Sequence, residues 1–513
     1  MRNTTIVGSL TLLSRVTGVL RDMVYSQAFG ASAFMDAFLV AFKIPNFLRR
    51  LTAEGAFSQA FVPVISEYRI HRDHAEVRAL TAGVAGVFGM ILFAITLVGV
   101  IAAPVLAYVF APGFHEDGAR FDRTVEMLRF TFPYMFFISL VALGSGVLHS
   151  YGRFAVPAFN QTLLNVVMIV AAGVVAPNFS NPGLVLAMGV FVAGVVQLVA
   201  QFPALHKLGL LPKPRFDLAH EGVRRIARLM LPGIFGSSVA QVSLLLDSII
   251  ASFLMVGSIS WLYYADRLVE FPMGVFAIAL ATVILPGLSS HHANQSADKF
   301  STTLDWALRL TITIATPAAV GLLMLAGPLI ATIFGYRAFG ANDVLMCGYA
   351  LMAYSLGLIG FSLVKVLAPG YFARQDTRTP VKVGIIALSV NMAFNLGVVV
   401  PAYLAGFAVP HALLALSTGM SALLNATLLY RGLRRQGVYA PTPLLKRLLP
   451  QVLVASIAMA GFLWWASGDW LRWTAWGALE RMRQLALCIA GGAFIYFAAL
   501  WIAGARPRDL KSL

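Results

Sequence analysis

The chain has 513 residues, 59% of them hydrophobic and only 12% charged, with a mean hydropathy of +0.80, where soluble domains average about 25% charged. A water-soluble globule is excluded, and because apolar runs recur along the whole length, so is a sizeable extramembrane domain. The formal net charge is +16, from 38 Lys and Arg against 22 Asp and Glu, and the excess must sit in cytoplasmic loops or inside the membrane.

A bilayer core about 30 Å thick takes roughly 20 helical residues. That ruler divides the sequence into fourteen predicted spans and gives an all-α polytopic membrane protein. The first, 6–29, carries Arg15, Arg21 and Asp22 and has glycines at 8, 18 and 30; its charges argue against a cleaved signal segment. The second, 32–64, exceeds the ruler, holds Asp36, Lys43, Arg49, Arg50 and Glu54, and contains Pro45 and Pro63, so bends are expected. Spans three to six, at 80–111, 125–150, 157–177 and 183–205, are followed by a basic connector from Lys207 to Arg228. Span seven, 226–256, holds Asp247 in an apolar run, and span eight, 259–289, holds Asp266, Arg267 and Glu270 with Pro272 and Pro286. Spans nine to fourteen follow at 304–334, 342–370, 381–404, 408–431, 448–467 and 484–504.

Loops after even-numbered spans are rich in Arg and Lys and those after odd-numbered spans are poor, which predicts that both termini face the cytoplasm. An internal repeat is also visible: Phe61-Val-Pro63-Val-Ile-Ser66 closes span two as Ile284-Leu-Pro286-Gly-Leu-Ser289 closes span eight. The expected organisation is an N-lobe over 1–206, a connector over 207–228, a C-lobe over 229–435, and a surplus pair of helices with a basic tail over 436–513.

Charges at bilayer depth cost at least about 2.5 to 3.5 kcal/mol each, so they should face a wet cavity or a partner. They concentrate in spans one, two, seven and eight, with a basic excess, and are nearly absent from spans five, six and eleven to thirteen. Arginine dominates, and guanidinium forks grip phosphate bidentately where ammonium is a point charge, so a pyrophosphate-bearing ligand suits the set. Local ion pairing would also account for single members: Arg21 beside Asp22 or Asp36, and Arg267 between Asp266 and Glu270. Arg49 and Arg50 could equally be cytoplasmic anchors. Asp247, a lone acid, is a candidate cation or proton site.

Cys347 and Cys488 lie far apart in apolar segments, the histidines have no ligand spacing, and no nucleotide-phosphate or zinc motif occurs, so no resident cofactor is expected. Transport would have to use a gradient.

Five strings carry a resemblance: Ser14-Arg-Val-Thr-Gly-Val-Leu-Arg-Asp22, the segment from Asp36 to Arg50, Ala53-Glu-Gly-Ala-Phe-Ser-Gln-Ala-Phe-Val-Pro63, Tyr264-Ala-Asp-Arg-Leu-Val-Glu-Phe-Pro272 and Phe372-Ala-Arg-Gln-Asp-Thr-Arg-Thr-Pro380. Over essentially the full length the chain resembles the bacterial MurJ (MviN) lipid II flippases of the multidrug/oligosaccharidyl-lipid/polysaccharide exporter superfamily. The resemblance implies two six-helix lobes in a V shape, with two further helices forming a lipid groove. It also implies movement of lipid II, an undecaprenyl-pyrophosphate glycolipid, from the cytoplasmic to the periplasmic leaflet of the bacterial inner membrane for peptidoglycan synthesis. It matches Arg15, Arg21, Arg49 and Arg267 to cavity arginines, with Asp36, Asn46, Ser260, Asp266 and Glu270 as supporting polar residues. A sodium site in the second lobe would fall to Asp247 and Asp376; Na+, protons or the membrane potential are the candidate driving forces. Lipid II, membrane lipids and the cell-wall synthesis machinery are the expected partners, with no nucleic acid and no enzymatic activity.

The rivals are a flippase for another polyprenyl-pyrophosphate glycolipid and a cation-coupled multidrug exporter of the same superfamily, whose cavity should be acidic or aromatic rather than arginine-rich. An intramembrane polyprenyl-phosphate enzyme would need clustered catalytic acids, which the sequence lacks. A passive channel would not explain the surplus helices.

Overall fold

The computed structural model describes residues 2–50 and 57–510, with side chains described outside 2–6, 59, 231–244, 275, 278, 279 and 282. All regular structure among these residues is helical. By contacts the chain forms two compact units, Met1–Gly257 and Ser258–Leu513.

The first unit contains α1 (Arg2–Phe29), α2 (Ala33–Arg49), α3 (Ser58–His71), α4 (His74–Ile101), α5 (Ala103–Phe110), α6 (Gly118–Thr131), α7 (Tyr134–Ser150), α8 (Ala155–Val170), α9 (Pro182–Lys207) and α10 (Glu221–Phe253). Its turns follow from local chemistry. Gly30, at φ 61°, supplies the left-handed residue that ends α1, and Ser32 then caps α2 by accepting from the Met35 amide. Asp73 does the same for α4 through the Glu76 amide at 2.8 Å. Phe57, just before α3, and Phe61 and Ile65 of α3 pack with Leu80 of α4, Val147 of α7 and Leu205 of α9 into a buried core. The basic connector is part of this packing: Leu210 is buried in that core, and the Arg215 amide donates to the Ala82 carbonyl at 3.0 Å. Helix α10, which follows the connector, packs on α3 and α4 within this unit, and Arg225 pairs with Glu67 at 2.8 Å.

The second unit contains α11 (Ser258–Pro272), α12 (Ile278–Ala293), α13 (Ala297–Met324), α14 (Ala326–Ile333), α15 (Ala341–Phe372), α16 (Arg378–Phe394), α17 (Val400–Leu404), α18 (Pro410–Arg435), α19 (Pro443–Ser467), α20 (Trp470–Ala475) and α21 (Ala478–Ile502). Helices α15 and α18 cross most closely, because Gly357 meets Gly419 there without side chains between them. The last two long helices pack on each other and on α13. Their outer faces are apolar and exposed, with Trp464 and Trp465 on α19 and Phe494 and Phe497 on α21, as suits a lipid-facing surface.

Ten helical segments among the described residues are long and apolar enough to cross a membrane, and they coincide with predicted spans three to six and nine to fourteen. The other four predicted spans fall on α1, on α2 with α3, on α10, and on α11 with α12. The protein is a multi-pass helical membrane protein.

The internal repeat appears in the breaks. In the third predicted span of each half, 28 residues of helix stop, at Ala102 and Leu325, and an eight-residue helix with an early proline resumes. In the fifth, a π-helical turn interrupts the α-helix near its end, at Ala171–Val175 and at Asn395–Val399. These breaks, like Pro63 and Pro286, recur at an offset of 223 or 224 residues.

Candidate functional site

Helix α1 presents its two arginines differently. Arg15 is half-buried and makes no hydrogen bond or ion pair among the described residues, which leaves its guanidinium available to an anion. Arg21 is buried at 5% exposure. Its Nε and Nη2 donate to Asp22 Oδ1 at 3.0 and 2.8 Å, its Nη1 donates to Asn165 Oδ1 at 3.1 Å, and the Tyr25 ring centroid lies 5.5 Å away. The expected pairing of Arg21 with Asp22 is therefore present, and α8 supplies a further partner.

Helix α2 sets the next group. Pro45 has no amide to give to the Ala41 carbonyl, and Thr131 Oγ1 of α6 donates to that carbonyl instead, at 2.8 Å. One turn on, Asn46 Oδ1 accepts from Arg49 Nε at 3.2 Å while its Nδ2 donates to the Phe42 carbonyl. Asn46 thus orients Arg49 at the end of α2. Asp36 is buried at 1% exposure, and its Oδ2 accepts from the Gly257 amide at 2.7 Å. Gly257 has φ 92°, a conformation that suits glycine; Asp36 pins the turn after α10. Glu54 lies outside the described residues. Asp247 is half-buried on α10.

In the second unit, α11 has a packed face and a polar one. Trp261 Nε1 donates to Asp343 at 2.9 Å, Tyr264 is enclosed by Phe334 and Phe339, and Ser260 is fully buried. That packing turns Asp266, Arg267 and Glu270 toward the opposite face, where Asp266 is exposed. Arg267 Nη1 meets Glu270 Oε2 at 2.7 Å, and its guanidinium lies 4.8 Å from the Tyr263 ring centroid. Both members of the pair are more than a third exposed, so it holds the fork in place while contributing at most about 1 kcal/mol. Asp376 lies at the start of α16, where its carboxylate accepts from the Thr379 hydroxyl at 2.6 Å and amide at 3.0 Å; these bonds hold the carboxyl below its usual range. That is the geometry of a helix cap.

Among the described residues no cluster of three His, Cys, Asp or Glu could hold a metal. An apolar cavity of about 280 Å³ opens in the second unit between Pro272, Phe276, Leu280, Trp306, Ile314 and Leu358. It suits a hydrocarbon chain rather than a charged headgroup.

The sequence reading missed three groups. Asn165 gives no sign, in an apolar span, that it faces α1. Asp305 and Arg309 are buried on α13 and bonded to each other at 3.0 Å; their spacing of four was the available signal. Arg481 is buried at 5% exposure and donates to the carbonyls of Ala331, Gly335, Thr474 and Trp476.

The family model described as lipid II flippase MurJ matches residues 25–482. A curated relative from Vibrio cholerae, described as a probable lipid II flippase MurJ, is 44% identical over 514 residues, covering 99% of this chain and 97% of its own. A solved structure described as lipid II flippase MurJ in an inward closed conformation superimposes with a TM-score of 0.78 at 23% identity, covering 97% of this chain and 98% of that one. An inward-facing multidrug resistance transporter of the MATE family, from the MOP superfamily, shares the fold with a TM-score of 0.64 at 14% identity, covering 85% of this chain and 98% of that one.

Proposed function

The chain belongs to the lipid II flippase MurJ family, and from that premise we propose that it moves lipid II from the cytoplasmic to the periplasmic leaflet of the bacterial inner membrane by alternating access, in support of peptidoglycan synthesis. The observation that carries this reading is the family match over nearly the whole length, with Arg15, Arg49 and Arg267 placed as half-buried guanidinium groups. A pyrophosphate offers paired oxygens to such forks, and a partly dry setting strengthens the bond. The prenyl chain stays in hydrocarbon, where the apolar cavity and the faces of α19 and α21 offer it a surface. Binding must favour one conformation by a limited margin, since a headgroup held equally well throughout would shift nothing. The charge-bearing helices of each unit carry arginine, which disfavours cationic drugs and sets this reading above multidrug export.

The test is depletion of the protein in its host, followed by exposure of the cells to a periplasmic enzyme that cleaves lipid II. Cleavage should be lost while intact lipid II accumulates, and Arg15→Ala and Arg267→Ala should express without rescuing it. Unchanged cleavage after depletion would remove the assignment.

The basic loops support a cytoplasmic location of both termini; digestion of a terminal tag by protease added outside spheroplasts would reverse that. Resetting of the transporter is assigned to a cation at Asp247, or to the membrane potential acting alone. Under the first, Asp247→Asn abolishes any dependence of flipping on sodium or pH; flipping that responds to both cations like the parent eliminates Asp247 as the coupling site.

A further inference from the structure

Asn165 belongs to none of the charged groups discussed above, yet it touches α1 at three points. It sits on α8 at 1% exposure. Its Nδ2 donates to the Ser14 carbonyl at 2.9 Å and to Thr17 Oγ1 at 3.1 Å, and its Oδ1 accepts from Arg21 Nη1 at 3.1 Å. One amide thereby spans two turns of α1, from the residue before Arg15 to Arg21. Gly18 lies beneath it, and even a Cβ there would stand 3.6 Å from Nδ2, at ordinary contact distance. Thr17 Oγ1 donates to Leu13 and Ser14 carbonyls at 2.9 and 3.1 Å, so it meets Asn165 as an acceptor. Both kinds of atom on the amide are used, as an amide inside a membrane requires.

We propose that Asn165 is a positioning residue for Arg15, the α1 arginine available to an anion, fixing the rotation of that helix against α8 by holding the Ser14 carbonyl and the Arg21 guanidinium. The assignment rests on the flippase reading and adds to it a residue that does not touch the substrate. Arg15 can face a pyrophosphate only over a narrow range of that rotation, and Arg21, buried and bonded to Asp22 and Asn165, serves as the anchor. Asn165 sets that rotation through the backbone at Ser14 and the side chain at Arg21. Asp22, on α1 itself, cannot do so, because a bond within one helix does not fix its orientation against another.

The experiment is a double-mutant cycle on the full-length protein in lipid nanodiscs, reading equilibrium binding of lipid II, with undecaprenol, which lacks the pyrophosphate, as the control ligand. Asn165→Ala should weaken lipid II binding about tenfold, the loss appropriate to a hydrogen bond on a charged group, without changing undecaprenol binding. In an Arg21→Ala background the same change should weaken it less than about twofold, because the two residues then act as a unit. Equal weakening in both backgrounds would show that Asn165 supports folding only, and unchanged binding in the Arg21-containing protein would equally overturn the proposal. If Asn165→Ala does not fold, Asn165→Leu takes its place in the cycle: it keeps the volume but gives up the acceptor for Arg21 together with both donations to α1, and the same pattern of coupling is expected. Arg15→Ala serves as the separate control. If it binds lipid II like the parent, the substrate reading itself fails; if it weakens binding while Asn165 shows no coupling to Arg21, only the positioning role does.

Discussion

Replacing Asp305 with alanine should destabilise the second unit by about 3 to 5 kcal/mol, one of the largest effects available to a single substitution in this chain. The carboxylate has no solvent exposure and Arg309 is 3% exposed. Four donors converge on it: Arg309 Nε at 3.0 Å, the Tyr439 hydroxyl at 2.8 Å, the Thr442 amide at 3.0 Å and the Thr442 hydroxyl at 2.7 Å. Alanine would leave the Arg309 charge buried without its counter-ion and strip three further donors of their acceptor. Burial, reinforced by the bond to Asp305, raises the Tyr439 phenol far above its usual value, so this donor is present at every physiological pH. Arg309 also donates to the Asp509 carbonyl and Trp306 Nε1 to that of Leu510, so the loop before α19 and the segment after α21 meet at one ion pair. Thermal unfolding of the purified protein in detergent checks this. Asp305→Leu combined with Arg309→Met should recover much of the loss, because the expense lies in the stranded charge more than in the missing attraction. A single Asp305→Ala that melts with the parent would show the cluster to be dispensable.

The second large effect lies at the crossing of α15 and α18. A Cβ on Gly357 would stand 2.4 Å from the Gly419 Cα, and one on Gly360 would meet backbone atoms of Ala422 and Leu423 at 2.6 to 2.9 Å. Backbone cannot move aside as a side-chain tip can, so the helices must separate. In a membrane, close backbone approach is itself the source of association. Gly357→Val should therefore cost about 3 kcal/mol or more, at the upper end for overpacking, and Gly357→Val with Gly360→Val should leave no cooperatively folded second unit. Gly461→Ala on α19, with nothing within 4 Å of the added carbon, is the matched control and should leave the melting curve in place. Valine tolerated at both positions would mean that the crossing is looser than its backbone distances indicate.

The sequence made the helical spans readable because a membrane enforces a length and a composition on each of them. Bends were expected at Pro45, Pro63, Pro272 and Pro286, whereas the breaks at Ala102 and Leu325 and the π-helical turns in the fifth span of each half were not anticipated. The charge-bearing spans were legible as unusual, and Arg267 with Glu270 was readable as a pair because they lie three positions apart on a helix. What the sequence withheld were the partners across long separations. Nothing near Asp36 points to the Gly257 amide, 221 residues away, and nothing near Arg21 points to Asn165, 144 residues away. Asp376 shows the converse: the resemblance offers it as a sodium ligand, and the sequence does not show that its carboxylate also caps α16 through Thr379. A carboxylate's role is set by which donors the fold brings to it.

The bond from Thr131 to the Ala41 carbonyl also has a mechanical side. A proline normally leaves a helix with an unpaired carbonyl that can trade partners, and such a place can flex. Here the vacancy is filled by a hydroxyl from α6, so sliding α2 against α6 would strand a polar group away from water at a cost of several kcal/mol. The proline therefore sits in a welded joint rather than a hinge. Asn46 and Arg49, one turn further along α2, are steered by α6, and a force that moves either helix is delivered to that arginine.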